Sequence, residues 1–318
     1  MLLKFKFIIL QFLLWIPMAV LANSEIELPA ELKNKTMTIV LGNGPGGPPD
    51  IFSRLIAKKI KDKYNIDIVI LNRPGAFGAV AARHTADAAP DGTTMFFTGD
   101  TYMIGSLRNL SGWPKKHELV PAVNTYGNYL VLMGSNRFEK YSFSDVMAEI
   151  KKNPGKFNYA SIYVIDGYYI DLILNYYNGK AVEIPFKSTP EVTVALINDT
   201  VQLWATGLSY TIQAAANKQV VPLLITSPTR SKALPNVPTI GEVMPGTAPY
   251  QSIYTMYFPE KTPVNILKFY NNLFNAVLKD PEITSFITSG YLEPIDQDFE
   301  TTQKTIDDKW KTFRSQIK

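Results

Sequence analysis

The chain has 318 residues, 46% of them hydrophobic and 19% charged, with a formal net charge of +4. That balance excludes a disordered chain, and with no block of like charge there is no basis for a nucleic-acid surface. There is no cysteine, which excludes disulfides, thiolate metal sites, a cysteine nucleophile and a lipid-bearing cysteine. The length suits two α/β domains better than one core.

Lys4 and Lys6 precede an apolar run from Phe7 to Val20, and Val20-Leu21-Ala22 supplies small residues for cleavage. This is the layout of a secretory signal over residues 1–22, and the run is shorter than the about 20 apolar residues that span a bilayer. Export to the periplasm is expected, with cleavage after Ala22.

A strand is predicted over residues 36–41 and a helix over 50–64, with Ile51, Leu55, Ile56 and Ile60 on one face. A strand over 67–71, the loop Asn72-Arg73-Pro74-Gly75-Ala76-Phe77-Gly78, a small-residue helix over 79–89 and a strand over 93–98 follow. Strands alternating with helices imply a parallel sheet with right-handed crossovers. The rhythm continues with strands over 129–133, 158–162 and 182–185, and helices over 144–152 (Ser144 as N-cap) and 168–177. Thr189-Pro190, Thr262-Pro263 and Asp280-Pro281 read as helix starts, since proline at the first position loses only an orphaned N–H. The proline-rich passage Leu234-Pro235-Asn236-Val237-Pro238 to Met244-Pro245-Gly246 resembles a crossover between domains. A strand over 252–258 and helices to the C-terminus complete the chain.

Gly42, Gly44 and Gly47 fit G-x-G-x-x-G, the dinucleotide fingerprint. Three features oppose a nucleotide. Pro45, Pro48 and Pro49 delete backbone donors. The second strand ends in Asn72-Arg73 instead of an acid for the ribose. The export signal sends the chain away from dinucleotides. Gly46 and Gly47 keep their donors ahead of a helix N-terminus, and Gly75-Ala76-Phe77-Gly78 repeats the arrangement after the next strand. Two such loops at neighbouring strand ends either receive a small anion or simply make tight turns.

The motifs resemble the Bug family, the periplasmic solute-binding proteins of tripartite tricarboxylate transporters. The family's GG-x-x-D loop is matched by Gly46-Gly47-Pro48-Pro49-Asp50, its N-x-P-G-A-x-G loop by Asn72 to Gly78, and its P-D-G-x-T by Pro90-Asp91-Gly92-Thr93-Thr94. Its N-P-G-K-x-N-Y-x-S is matched by Asn153 to Ser161, its P-[YF]-K-[GS] by Pro185-Phe186-Lys187-Ser188, and its L-P-x-V-P-T-x-x-E by Leu234 to Glu242. The resemblance implies an α/β, two-domain periplasmic-binding-protein fold, with two crossover strands as the hinge of a flytrap. One domain would comprise 23–126 plus 247–318 and the other 127–246. It also implies a small carboxylate ligand, membrane permease subunits as partners, and a monomer.

Ligand-binding residues expected on this basis are Gly46, Gly47, Pro48, Gly75, Ala76, Phe77 and Gly78 from the first domain, with Asp100 just past its third strand. From the second come Ser161, Asp166, Gly167, Lys187, Ser188 and Thr189. Three departures bear on the ligand: the family's Pro-Phe before the glycine loop is Gly42-Asn43 here, its small G-x-G-S loop after Ser161 is Ile162-Tyr163-Val164-Ile165-Asp166-Gly167-Tyr168, and Asp100 falls close to where a ligand could sit. Asp100 and Asp166 are read either as acceptors for a ligand amine or hydroxyl, or as solvated or capping aspartates. Of the tyrosines around Tyr163, most are expected to pack and one or two to stack on a ligand. His84 and His117 have no acidic partner at metal-ligand spacing, so neither metal nor cofactor is expected, and no residue is assigned a catalytic role. A ligand-sensing partner of a membrane receptor, or a hydrolase with Ser161 as nucleophile, are the competing functions; no G-x-S-x-G elbow supports the latter.

Overall fold

The computed structural model describes residues 26–317, so the expected signal segment lies outside the described residues. Strands β1 (Met37–Leu41), β2 (Ile68–Asn72) and β3 (Thr94–Thr98) alternate with helices α1 (Pro48–Tyr64) and α2 (Ala79–Ala86), and α3 (Thr101–Leu107) follows. The long β4 (Leu119–Gly134) leads into α4 (Phe143–Lys152), β5 (Phe157–Ser161), α5 (Val164–Tyr176), β6 (Ala181–Pro185) and α6 (Thr189–Ile197). Then come β7 (Leu203–Gly207), α7 (Leu208–Ala216), β8 (Val221–Ile225) and the single turn α8 (Ile240–Val243). The chain closes with β9 (Gln251–Pro259), α9 (Val264–Leu278), α10 (Pro281–Ser289), the short β10 (Glu293–Pro294) and α11 (Phe299–Gln316). Among the described residues, no helix is long and apolar enough to cross a membrane.

The strands run in the order β2-β1-β3-β9-β4-β7-β5-β6, with β8 and β10 also paired to β4. β4 serves two halves of the sheet: Leu119 to Tyr129 pair with β9, whereas Leu130 to Gly134 pair with β7 and β8. Each half is parallel around its own α/β units, β2-β1-β3 on one side and β7-β5-β6 on the other. Period-two alternation sorts the strand residues onto the two faces. Ile39, Leu41, Met95, Phe97, Met256 and Phe258 pack against α1 and α9, while Val40, Phe96 and Tyr257 face α2, α3 and α11. The second of these clusters also takes in Val164, Ile165 and Tyr169 of α5, so it joins the two halves.

Three expectations are corrected. The strand foreseen at 129–133 is the end of β4, whose earlier residues lack a clean alternation because most of them are buried on both faces. The proline-rich passage is not the crossover: Ile240 and Met244 pack in the core of the second half, and Val237 packs against Val131 and Leu208. Helix α4 starts one residue early because Ser142, not Ser144, forms the capping box with Asp145.

The return to the first half is pinned by Thr226, which is buried. Its hydroxyl accepts from Leu130 N–H at 2.9 Å and donates to the Tyr250 carbonyl at 2.7 Å, tying both crossing segments together. Replacing it with valine keeps the shape but strands two buried backbone groups, each worth about 1–3 kcal/mol. Thr226→Val is therefore expected to lower the unfolding free energy by about 2–4 kcal/mol in a urea titration; an unchanged midpoint would contradict the pin.

Candidate functional site

The two glycine loops meet at the C-terminal ends of β1 and β2, where open α/β sheets bind ligands. Several of their donors are engaged within the chain. Gly46 N–H donates to Asp50 Oδ2 at 3.0 Å, and Asp50 also receives Arg54 through two nitrogens and the Asn72 amide. Burial alone would raise the Asp50 pKa, but the hydrogen bonds from Arg54, Gly46 and Asn72 outweigh it and hold the carboxyl below its usual value. The anion at this loop is thus the chain's own Asp50. Gly44 N–H donates across the cleft to the Lys187 carbonyl at 2.8 Å.

Glycine at these positions serves close approach. A Cβ on Gly47 would lie 2.9 Å from Thr189 Oγ1, and one on Gly44 would lie 3.0 Å from Ser188 Cβ. Pro48 occupies the first position of α1. In the second loop, Gly75, Ala76, Phe77 and Gly78 all have positive φ, a conformation that suits the glycines and strains the other two. The loops abut, since a Cβ on Gly42 would stand 2.9 Å from Gly78 Cα. The residues Gly46, Gly47, Pro48, Gly75, Ala76, Phe77 and Gly78 therefore come together, but none of them lines the enclosed cavity beside them.

That cavity lies between the two halves. Thr98, Gly99, Thr101, Ser252 and Tyr254 line it from the first half, and Ile162, Tyr163, Asp166, Thr189, Trp204 and Thr206 from the second. It leaves about 30 Å³ of space for the centres of water-sized guests, more than a single water needs. The hydroxyls of Thr98 and Thr101 and the indole N–H of Trp204 are buried without a hydrogen-bond partner. No lysine, arginine or histidine lines the cavity, and Asp166 is its one ionisable carboxyl. Buried polar groups are ordinarily paired, so orphans gathered at one cavity mark a place for a polar guest.

Asp166 closes the start of α5, its Oδ2 accepting from the Ile162 and Tyr163 N–H groups at 2.9 and 3.0 Å. Burial pushes its carboxyl up to about 7, against the lowering effect of those two bonds and of the Trp204 indole, which leans towards it without reaching hydrogen-bond geometry. The early start of α5 at Val164, ahead of the expected 168, follows from this cap.

The other expected residues fall outside the cavity. Asp100 is buried, and its Oδ2 is held by the Tyr250 hydroxyl and Lys309 Nζ, each at 2.6 Å. Ser161 donates to Glu183 Oε1 at 2.7 Å. Gly167 gives room to that same glutamate, whose Oε1 would stand 2.6 Å from a Cβ there. The Lys187 side chain is exposed, and Ser188 is the buried N-cap residue of α6. Thr98, Thr101 and Trp204 are not among the expected ligand contacts: no spacing marks them, though Thr98 and Thr101 flank the end of a predicted strand, where ligands collect.

The raised Asp166 value fixes a pH dependence. An unfolded chain loses this proton near 3.9, the folded one near 7. The folded state holds the extra proton in between, so stability falls as pH rises from about 4 to about 7 and is level beyond. Asp166→Asn should remove that slope when unfolding free energies of variant and wild type are compared at several pH values; parallel curves would contradict the assignment.

The family model described as the tripartite tricarboxylate transporter family receptor matches residues 52–318. BugT of Bordetella pertussis (strain Tohama I) is 23% identical over 256 residues, which cover 79% of this chain and 78% of its own. Among solved structures, MatC from Rhodopseudomonas palustris with bound malate superposes with a TM-score of 0.82 at 20% identity, covering 89% of this chain and 98% of that one. An R. palustris protein with adipate gives 0.80 at 21% identity, with shares of 89% and 96%. The periplasmic binding protein BugD also gives 0.80, at 20% identity, with shares of 88% and 94%. These likenesses show the flytrap fold of periplasmic binding proteins. With the family model matched over most of its length, the chain belongs to the tripartite tricarboxylate transporter receptor family, the solute-binding proteins that include the Bug proteins.

Proposed function

We propose that this chain captures a small carboxylate in the cavity between its two lobes and delivers it to a tripartite tricarboxylate-type permease. The mature periplasmic protein would act as a monomer after loss of residues 1–22. The observation that carries this reading is the enclosed cavity whose buried donors, Thr98 Oγ1, Thr101 Oγ1 and Trp204 Nε1, have no hydrogen-bond partner among the described residues. Three neutral donors in a water-poor site hold an anion without a counter-charge, because hydrogen bonds to a charged group are about twice as strong as neutral ones. The malate and adipate in the two R. palustris structures support a carboxylate as the ligand class.

Asp166 fits the same reading. Two carboxylates sharing a dry site cannot both be ionised, and a carboxyl with its pKa raised to about 7 keeps the proton that lets it donate to the ligand. The lobes that close on the ligand would be 23–126 plus 247–318 and 127–246, turning about the segments tied at Thr226. Closure needs a ligand that touches both lobes, and the donors lie on both: Thr98 and Thr101 on one, Trp204 on the other.

Calorimetric titration of the mature protein with short carboxylates tests the reading. Binding without turnover is expected, with affinity falling about tenfold per pH unit above about 7 as Asp166 ionises. Asp166→Asn should flatten that dependence. Conversion of the ligand to product, or binding of carboxylates with no pH dependence in the wild type, would refute the assignment.

A further inference from the structure

Tyr163 comes from the second lobe, yet its ring lies against the first lobe's glycine loops. Ideal Cβ positions on Gly42 and Gly78 would stand 3.6 Å from its Cε1 and Cδ1 respectively. Its hydroxyl donates to the Asn43 side-chain carbonyl oxygen at 2.6 Å, and Asn43 is itself buried. Asn43 in turn donates to the Gly44 carbonyl, so the polar tip of the tyrosine is matched to a fixed acceptor. Burial pushes the phenol well above its ordinary pKa, which keeps the hydroxyl a donor at any pH the protein meets. The same ring lines the enclosed cavity on its other side. It therefore stands as a wall between the cavity at Thr98, Thr101 and Trp204 and the space in front of the two glycine loops.

We propose that Tyr163 is the residue that sets ligand length: its ring fills the arm of the cleft that runs to Gly42 and Gly78, and confines the guest to a short monocarboxylate. This rests on the reading of the chain as a carboxylate-binding protein and deepens it. With the ring in place, the cavity at Thr98, Thr101 and Trp204 is closed off on the side of Gly42 and Gly78, so a guest seated there has no room to extend a second carboxylate towards the glycine loops. The wall is rigid for physical reasons. A tyrosine has only two side-chain torsions, and both ends of this one are held, by the ring's contacts with two glycines and by the bond to Asn43. Gly42 lets the two loops close behind the ring, since a Cβ there would stand 2.9 Å from Gly78 Cα.

Calorimetric titration with acetate, glycolate, malate and adipate, on wild type, Tyr163→Ala and Tyr163→Phe, tests the assignment. Wild type is expected to bind the short monocarboxylates in preference to adipate. Tyr163→Ala is expected to gain affinity for malate and adipate by about tenfold or more, the scale on which pocket walls discriminate by size. Tyr163→Phe keeps the ring, loses the bond to Asn43 and should retain the wild-type preference. A second readout is independent of the carboxylates: p-cresol, the excised side chain, should raise the melting temperature of Tyr163→Ala and leave that of the wild type unmoved. An unchanged chain-length preference in Tyr163→Ala, a wild type that takes adipate as well as acetate, or a Tyr163→Ala protein indifferent to p-cresol overturns the proposal. If p-cresol stabilises the variant but neither protein binds any carboxylate, the void is real and the carboxylate reading fails, taking the length-setting role with it.

Discussion

The organisation of this protein turns on three donors that fold into the interior without partners. The Thr98 and Thr101 hydroxyls and the Trp204 indole N–H each cost about 1–3 kcal/mol when buried unpaired. They belong to different elements, the end of β3, the start of α3 and the middle of β7. Thr98 and Thr101 lie in one half and Trp204 in the other, and the cavity between the halves brings them together. A guest that accepts from all three repays the desolvation on both sides of the cleft at once. That is the differential interaction a hinged protein needs if its ligand is to bias closure. The rest of the architecture serves this geometry: β4 runs through both lobes, Thr226 ties the two crossing segments, and α5 joins the shared core.

The charges are disposed to keep cations out of the cavity. Arg54 is committed to Asp50, and Lys309 to Asp100 beside the Tyr250 ring. In the loop that reads as an anion receptor, Gly46 N–H is already taken by Asp50. On the proposed reading, recognition falls to neutral donors and to the Asp166 carboxyl, which burial pushes up to about 7. Selectivity in such a site depends on shape and hydrogen bonding more than on charge, which is the ground for proposing a length-setting role for Tyr163.

Much of the fold was legible in the sequence because its signals are local. The β-α-β rhythm, the glycine turns before α1 and α2, and the capped starts at Asp280-Pro281 and Thr189-Pro190 depend on periodicity and backbone chemistry within a few residues. The long β4 was read only in part, since a strand buried on both faces loses its alternation. The site was less legible. The glycine loops come together at the ends of β1 and β2, but Gly46 donates to Asp50 and Gly44 to the Lys187 carbonyl, partners that no local pattern reveals. Asp166 and Thr189 do line the cavity, whereas Thr98, Thr101 and Trp204 carry no motif and acquire a role only through tertiary placement. Tyr163 was visible as a departure from the family's small-residue loop, and its position gives that departure a physical meaning.

The central claim is that an anion is held at the Trp204 indole. The most direct measurement is the Trp204 Nε1–H resonance in a ¹H–¹⁵N spectrum, assigned through Trp204→Phe and followed while acetate is titrated. The account predicts a downfield shift of that proton that saturates with the binding curve, because a buried donor without a partner gains a charged acceptor. A protein that binds the acid while this resonance stays where it was would contradict the account.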